Sequence, residues 1–138
     1  MLIISNLRRN ARQPLINISR QTRIPVSTLY DKIKRFESTI IKKYTALVDF
    51  EKLGFNIRLL ILLKIKDEEK FKQFLFKSKN VNSAFRISNG YDVILDCIFK
   101  YIKEMNNTID QIEEFSTDKK VFYVSKVEVR EKFLSKLL

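Results

Sequence analysis

Ile24-Pro25-Val26-Ser27-Thr28-Leu29-Tyr30-Asp31-Lys32-Ile33-Lys34-Arg35-Phe36-Glu37 is the stretch from which the rest of the chain is read. At helical spacing Leu29, Ile33 and Phe36 form one apolar stripe, while Ser27, Thr28, Tyr30, Asp31, Lys34 and Arg35 lie on the flank facing away from it. That flank is short, hydroxyl-bearing and basic. Small hydroxyls let a helix backbone come close to a major groove, and longer polar side chains then reach base edges and phosphates. An ordinary solvated helix face has the same general character, so the neighbouring segments decide between the two.

Upstream, Met1 to Arg9 reads as a short helix with Leu2, Ile3 and Leu7 inward. A second helix runs from Pro14 to about Thr22 and buries Leu15 and Ile18, because proline suits a first turn. Arg23-Ile24-Pro25 breaks the pattern, since the residue before proline is pushed out of the α region. The third helix starts at Val26, and two short helices joined tightly in this way make a helix-turn-helix. After Glu37 the helix is expected to fade through Ser38 and Thr39. Ile41 to Asp49 then alternates as a strand, with Lys42 and Lys43 at its start, where a wing would meet the phosphate backbone. Phe50 to Phe55, with Gly54, reads as a connection.

From Asn56 the texture changes. Ile57, Leu59, Ile61, Leu63 and Ile65 would share one face of a strand, and Leu60 and Leu62 on the other face mean that both faces need cover. Asp67-Glu68-Glu69 suits the first turn of a helix that buries Phe71, Phe74 and Leu75. Asn82 to Ser88 and Tyr91 to Phe99 read as strands joined by Asn89-Gly90, a two-residue turn in which both positions need positive φ. Lys100 to about Phe115 is helical through Ile102, Met105, Ile109 and Ile112, and Lys119 to Val129 is a last strand. The order strand, helix, strand, strand, helix, strand is the split arrangement of ferredoxin-like domains, so the expected class is α+β. Helices cover one face of such a sheet. Leu60, Leu62, Ile94 and Ile98 on the other are best covered by a second copy of the chain, which predicts a homodimer.

Composition agrees with a nucleic-acid partner. The 138 residues carry a formal net charge of +11, and the pI is about 9.8. Residues 1–55 hold 11 Lys and Arg against 4 Asp and Glu, a net of +7, and the remainder 16 against 12, a net of +4. The basic excess therefore concentrates around the helix-turn-helix. With no His and a single Cys, a His-based triad and the usual zinc site are excluded. Cys97, in an apolar run, reads as a small buried hydrophobe. No stretch has the roughly 20 apolar residues of a membrane span, and no leader is evident, which gives the expectation of a cytoplasmic protein without a membrane partner.

Order and spacing over nearly the whole length resemble the Lrp/AsnC, or feast/famine, regulators. The resemblance runs through Asn10-Ala11-Arg12, Ile33-Lys34-Arg35-Phe36-Glu37, Ile41, Tyr44-Thr45-Ala46-Leu47-Val48-Asp49 and Leu53-Gly54. It continues in Val81, eight residues before Asn89, and in Tyr91-Asp92. The chain departs from the family pattern at Ser38-Thr39-Ile40-Ile41, which lacks a glycine after the recognition helix, and at the turn, where Asn89 holds the glycine position and Gly90 follows. The resemblance implies a winged helix-turn-helix over 1–43, a connecting strand and hinge over 44–55, and a ligand-sensing ferredoxin-like (RAM-type) domain over 56–138. It implies a sequence-specific transcription regulator that binds double-stranded DNA as a homodimer or an octamer of such dimers. An amino acid or related small molecule would act as effector, no other cofactor being implied. Ser27, Thr28, Tyr30 and Asp31 would then face bases, and Lys32, Lys34, Arg35, Lys42 and Lys43 would contact or approach phosphates. Asn89, Gly90 and Asp92 are the candidate effector contacts, with Asp92 equally readable as a turn-capping residue. Two other readings stand beside this one. The same architecture resembles siroheme decarboxylases, whose working residues include the His that this chain lacks, and an architectural DNA-binding protein would need little sequence preference.

Overall fold

A computed structural model of the chain describes residues 1–136, so Leu137 and Leu138, the last two positions of the expected second domain, lie outside the described residues. The chain forms two compact units. One comprises Met1–Leu47 together with the segment from Glu128 onward, and the other comprises Val48–Val127.

The first unit contains α1 (Leu2–Arg9), α2 (Leu15–Thr22) and α3 (Val26–Thr39). Ile3, Ile18, Leu29 and Ile33 form its buried centre, with Leu7, Leu15, Ile24 and Phe36 packed around them. Leu2, expected inward, is exposed, and Asn6 is fully buried on that side of α1 instead. α3 runs two residues past the expected end at Glu37. Ser38 Oγ and Thr39 Oγ1 donate to the Arg35 carbonyl at 2.9 and 2.8 Å, folding both hydroxyls back onto the last turn. The Ile40 and Ile41 N–H groups both reach the Phe36 carbonyl at 2.8 Å. Ile40 closes the helix at φ −107°, ψ −44°, in the right-handed region, so no glycine is needed there.

No wing follows α3. Ile41 to Asp49 has no regular secondary structure, and Lys42 through Leu47 are all exposed. The alternation of this segment suggests a strand, but a strand pattern specifies pairing only where one face is buried, and here Tyr44 and Leu47 are both in solvent. The segment from Glu128 onward, expected in the sheet domain, belongs to the helical unit instead. Its place there has a visible cause, because Arg8 of α1 donates from Nε to the Phe133 carbonyl at 2.8 Å and from Nη2 to the Glu131 carbonyl and carboxylate, each at 3.1 Å.

The second unit opens with a short 3₁₀ turn, Phe50–Leu53, capped by Asp49 and ended by Gly54 at φ 93°. It continues as β1 (Ile57–Ile65), α4 (Glu68–Lys77), β2 (Val81–Arg86), β3 (Val93–Phe99), α5 (Ile102–Glu113) and β4 (Ser116–Tyr123). The sheet order is β2-β3-β1-β4, with every pairing antiparallel, which is the ferredoxin-like arrangement. β4 starts and ends earlier than its apolar residues suggest. Leu59, Ile61 and Leu63 of β1 and Val93, Leu95, Cys97 and Phe99 of β3 meet Phe71 and Phe74 of α4, Met105 and Ile112 of α5, and Phe115. The Phe115 ring lies 5.6 and 5.2 Å, centroid to centroid, from those of Phe71 and Phe74. Asp67 caps α4 rather than lying inside it, accepting from the Lys70 N–H at 3.0 Å. Ile102, expected inward, is exposed.

Candidate nucleic-acid interface

The turn between α2 and α3 is built without glycine. Arg23 takes the left-handed conformation at φ 59°, ψ 25°, and its N–H bonds the Ser19 carbonyl at 2.8 Å to close α2. Ser19 Oγ then donates to the Ile24 carbonyl at 2.6 Å, holding the chain as it leaves the turn. Pro25 stands at the N-cap of α3, and its carbonyl accepts from the Leu29 N–H at 2.9 Å. A left-handed arginine costs about 1 kcal/mol, which the local hydrogen bonds and the burial of Ile18 and Leu29 offset.

With Leu29 and Ile33 buried, the opposite flank of α3 is fixed outward. Ser27, Thr28, Tyr30, Asp31, Lys32, Lys34 and Arg35 are all exposed, as are Lys42 and Lys43 beyond the helix. The structure thus brings seven of the nine expected DNA residues together on one helix and leaves Lys42 and Lys43 on irregular chain. Lys34 Nζ stands 5.4 Å from the centroid of the Tyr30 ring, a cation–π contact at i, i+4 that gives both side chains a preferred direction. Among the described residues no ion pair joins Asp31 to Arg35, so the aspartate keeps a carboxylate able to accept from a base amino group.

Sequence reasoning missed the contacts that hold α1 against the helix pair. Asn6 donates from Nδ2 to the Leu2 carbonyl at 2.8 Å, its Oδ1 accepts from Arg9 Nη2 at 2.9 Å, and the same Arg9 nitrogen reaches Gln21 Oε1 of α2 at 2.6 Å. Gln13 Nε2 donates to the Asn6 carbonyl at 2.7 Å. Only the helical interval from Ile3 to Asn6 hinted at this, and an Asn on an apolar stripe has no signature of its own.

The expected effector residues lie on the loop between β2 and β3. Asn89 and Gly90 have φ of 74° and 105°, as a turn of this composition requires. The loop is longer than the expected two-residue turn, because the Ile87 N–H and Asp92 carbonyl close it at 3.0 Å and leave Ser88 to Tyr91 as its tip. Tyr91 carries Lys64 Nζ and Lys120 Nζ at 5.7 and 5.8 Å from its ring centroid. Asp92 does a structural job. Its Oδ2 accepts from the Ile65 N–H at 2.8 Å, and its own N–H donates to the Leu63 carbonyl at 2.8 Å, tying the loop to the end of β1. Cys97 is fully buried, as expected, and burial, with a smaller contribution from Asp96, pushes its thiol up to about 12.

Comparison with known proteins decides the family. The chain is 35% identical over 114 residues to the HTH-type transcriptional regulator FL11 of Pyrococcus furiosus, covering 80% of this chain and 75% of that protein. The chain belongs to the Lrp/AsnC family of HTH-type transcriptional regulators. Solved structures agree in fold. LrpC of Bacillus subtilis matches with a TM-score of 0.82 at 21% identity, over 93% of this chain and 94% of that one. A transcriptional regulator of Neisseria meningitidis, solved as a complex with L-Met, matches with a TM-score of 0.83 at 20% identity, over 94% and 89%. No protein-family profile matches the chain. Among the described residues, no helix is long and apolar enough to cross a membrane.

Proposed function

We propose that this Lrp/AsnC regulator reads DNA with α3. Ser27, Thr28, Tyr30 and Asp31 meet base edges, Asp31 by accepting from a cytosine amino group, and Lys32, Lys34, Arg35, Lys42 and Lys43 meet or approach phosphates. The observation that carries this reading is the division of α3 into a buried Leu29 and Ile33 stripe and an opposite flank whose polar residues are all exposed. With Lys42 and Lys43 outside any wing, their part is the sequence-independent one of charge near the backbone. Replacing Lys34 or Arg35 with Ala should weaken binding to all duplexes and lower the salt slope by about 0.9 for each phosphate no longer neutralised. Thr28→Ala and Tyr30→Ala should instead change which bases are preferred, by about 1 to 3 kcal/mol at the positions they read. Fluorescence anisotropy on a panel of duplexes across salt concentrations separates the two classes; if both behave alike, the assignment of α3 is wrong. Binding by the unsubstituted protein that does not depend on duplex sequence would favour an architectural role.

The working unit is a homodimer, able to assemble further into octamers. Support comes from the sheet face away from α4 and α5, where Leu60, Leu62 and Ile94 are half-buried and Phe85 and Phe122 are exposed, a surface that a second copy would cover. Two copies of α3 on a symmetric dimer would meet two half-sites of a pseudo-palindrome. An amino acid or related effector acts at the loop carrying Asn89 and Gly90, with Asp92 contributing its position and its remaining carboxylate oxygen. The protein acts on cytoplasmic DNA and carries out no reaction of its own. Selecting bound duplexes from a random pool, with and without a mixture of amino acids, reads specificity and effector coupling in one experiment.

A further inference from the structure

Neighbouring helices on one side of a sheet ordinarily meet through apolar residues at i, i+3, i+4 and i+7. In this chain the facing stripes are polar. α4 presents Lys70, Gln73, Phe74 and Lys77 at that spacing, and α5 presents Glu104, Asn107, Thr108 and Gln111. Only Phe74, with Phe115 beside it, supplies an apolar floor. The stripes line a cleft of about 640 Å³. Because α4 follows β1, α5 follows β3, and those strands are antiparallel, the helices run in opposite directions. Lys77 is therefore set toward the end of α5 that holds Glu104, and Lys70 toward the end that holds Gln111. Among the described residues, no ion pair or side-chain hydrogen bond joins the two walls, so opposite charges line one cleft without neutralising each other.

From this we infer a second ligand site, in the cleft between α4 and α5, that takes a small zwitterion, an α-amino acid or a short peptide. Its carboxylate is held by the Lys77 ammonium of α4 and its ammonium by Glu104 of α5, while the amides of Gln73, Asn107 and Gln111 offer both donors and acceptors to the rest of a longer ligand. The volume falls within the usual range of small-molecule sites, roughly 300 to 1,000 Å³. The site is separate from the Asn89 and Gly90 loop, none of whose residues lines it. It also lies on the helix side of the sheet, away from the face assigned to pairing, so a dimer leaves it open.

The test is a two-dimensional ¹H–¹⁵N NMR titration of the full chain with glycine and with alanylalanine, using acetate and methylammonium as single-charge controls. Saturable shifts in the amides of α4 and α5 are expected with the zwitterions, and no saturable shift is expected with either control. Whichever zwitterion saturates at lower concentration identifies the source as a free amino acid or a peptide. Lys77→Met and Glu104→Gln remove a charge from either wall at solvent-accessible positions, and each should weaken binding about tenfold, the equivalent of one charge-assisted hydrogen bond. Shifts confined to residues 88–92, shifts equal for zwitterions and controls, or affinity unchanged in both variants would overturn the proposal.

Discussion

Replacing Asp96 with Leu is expected to cost about 3 kcal/mol of stability, whereas replacing Arg58 with Met and Asp96 with Leu together should cost less than about 1 kcal/mol. The pair lies on the face of the sheet opposite α4 and α5. Alternation along β1 and β3 puts Arg58, Leu60, Ile94 and Asp96 on that face, with Leu60 directly paired to Asp96. Asp96 accepts two parallel bonds from Arg58, Nε to Oδ1 at 2.9 Å and Nη2 to Oδ2 at 2.7 Å, and a third from Asn82 Nδ2 at 2.9 Å. The side chains of Arg58 and Asp96 are only 19% and 11% exposed, so water replaces little of what a missing partner supplied. Removing the carboxylate alone leaves the guanidinium largely desolvated and unpaired, while the exposed Asn82 can turn its amide to water, and the remaining access of Arg58 to solvent places the cost at the lower end of the roughly 3 to 5 kcal/mol typical of a broken buried pair. Removing both charges leaves two apolar side chains of similar volume beside Leu60 and Ile94. Urea unfolding followed by far-ultraviolet circular dichroism, on the two single variants and the double variant, closes the cycle, and repeating it at several protein concentrations separates folding from association. A coupling energy below about 0.5 kcal/mol would show that the pair stabilises nothing beyond its separate halves, and the reasoning would fail.

Asn6→Ala should destabilise the helical unit by about 2 kcal/mol, because it removes a fully buried amide that links α1 to α2 through Arg9; urea melts compared with Gln21→Ala, which breaks only the outer bond, check this. Gly90→Ala should cost about 1 to 2 kcal/mol through its φ of 105° alone, since no atom lies within 4 Å of the added methyl; thermal unfolding with unchanged far-ultraviolet dichroism is the expected result. The Cys97 thiol, raised to about 12 by burial, should resist a thiol reagent at pH 8 until the protein unfolds. Its folded value exceeds that of an exposed thiol near 8.5, so the native state holds the proton longer. Stability from this group is therefore full below about pH 8.5 and declines toward pH 12 by up to about 1.4 kcal/mol per pH unit, a decline that Cys97→Ala should remove in alkaline urea titrations.

Where a helix or strand buries one face, its residues announced it. The stripe of Leu29 and Ile33, the alternation of Leu59, Ile61 and Leu63, and the Phe71 and Phe74 spacing each combine a period with a burial partner, and all three stand in the structure as read. The misses share a cause. Tyr44 to Val48 has the period of a strand but takes no regular secondary structure, with Tyr44 and Leu47 exposed, and a period alone does not offset the entropy of ordering. Ser38 and Thr39 are poor helix formers on average, yet α3 runs through both, their hydroxyls folded back onto the Arg35 carbonyl. Asn6 and the tail held by Arg8 depend on contacts between segments far apart in sequence, which no local pattern encodes.

The candidate sites divide along the same line. The exposed polar flank of α3 was legible because the apolar stripe that buries Leu29 and Ile33 also fixes which side chains face solvent. Asp92 was not legible, because a carboxylate beside a turn suits a ligand ammonium and a backbone N–H equally, and only the bond from Ile65 separates the two. That bond makes the end of β1 and the loop between β2 and β3 one mechanical unit. A ligand that draws on Asp92 must compete with the Ile65 N–H for one of its oxygens or use the other. Asp92→Asn keeps an oxygen for Ile65 while removing the charge, and Asp92→Ala removes both. If only the alanine variant lowers stability while both abolish the effector response, the residue serves fold and ligand through different oxygens; if the asparagine variant keeps a full response, its role is structural alone.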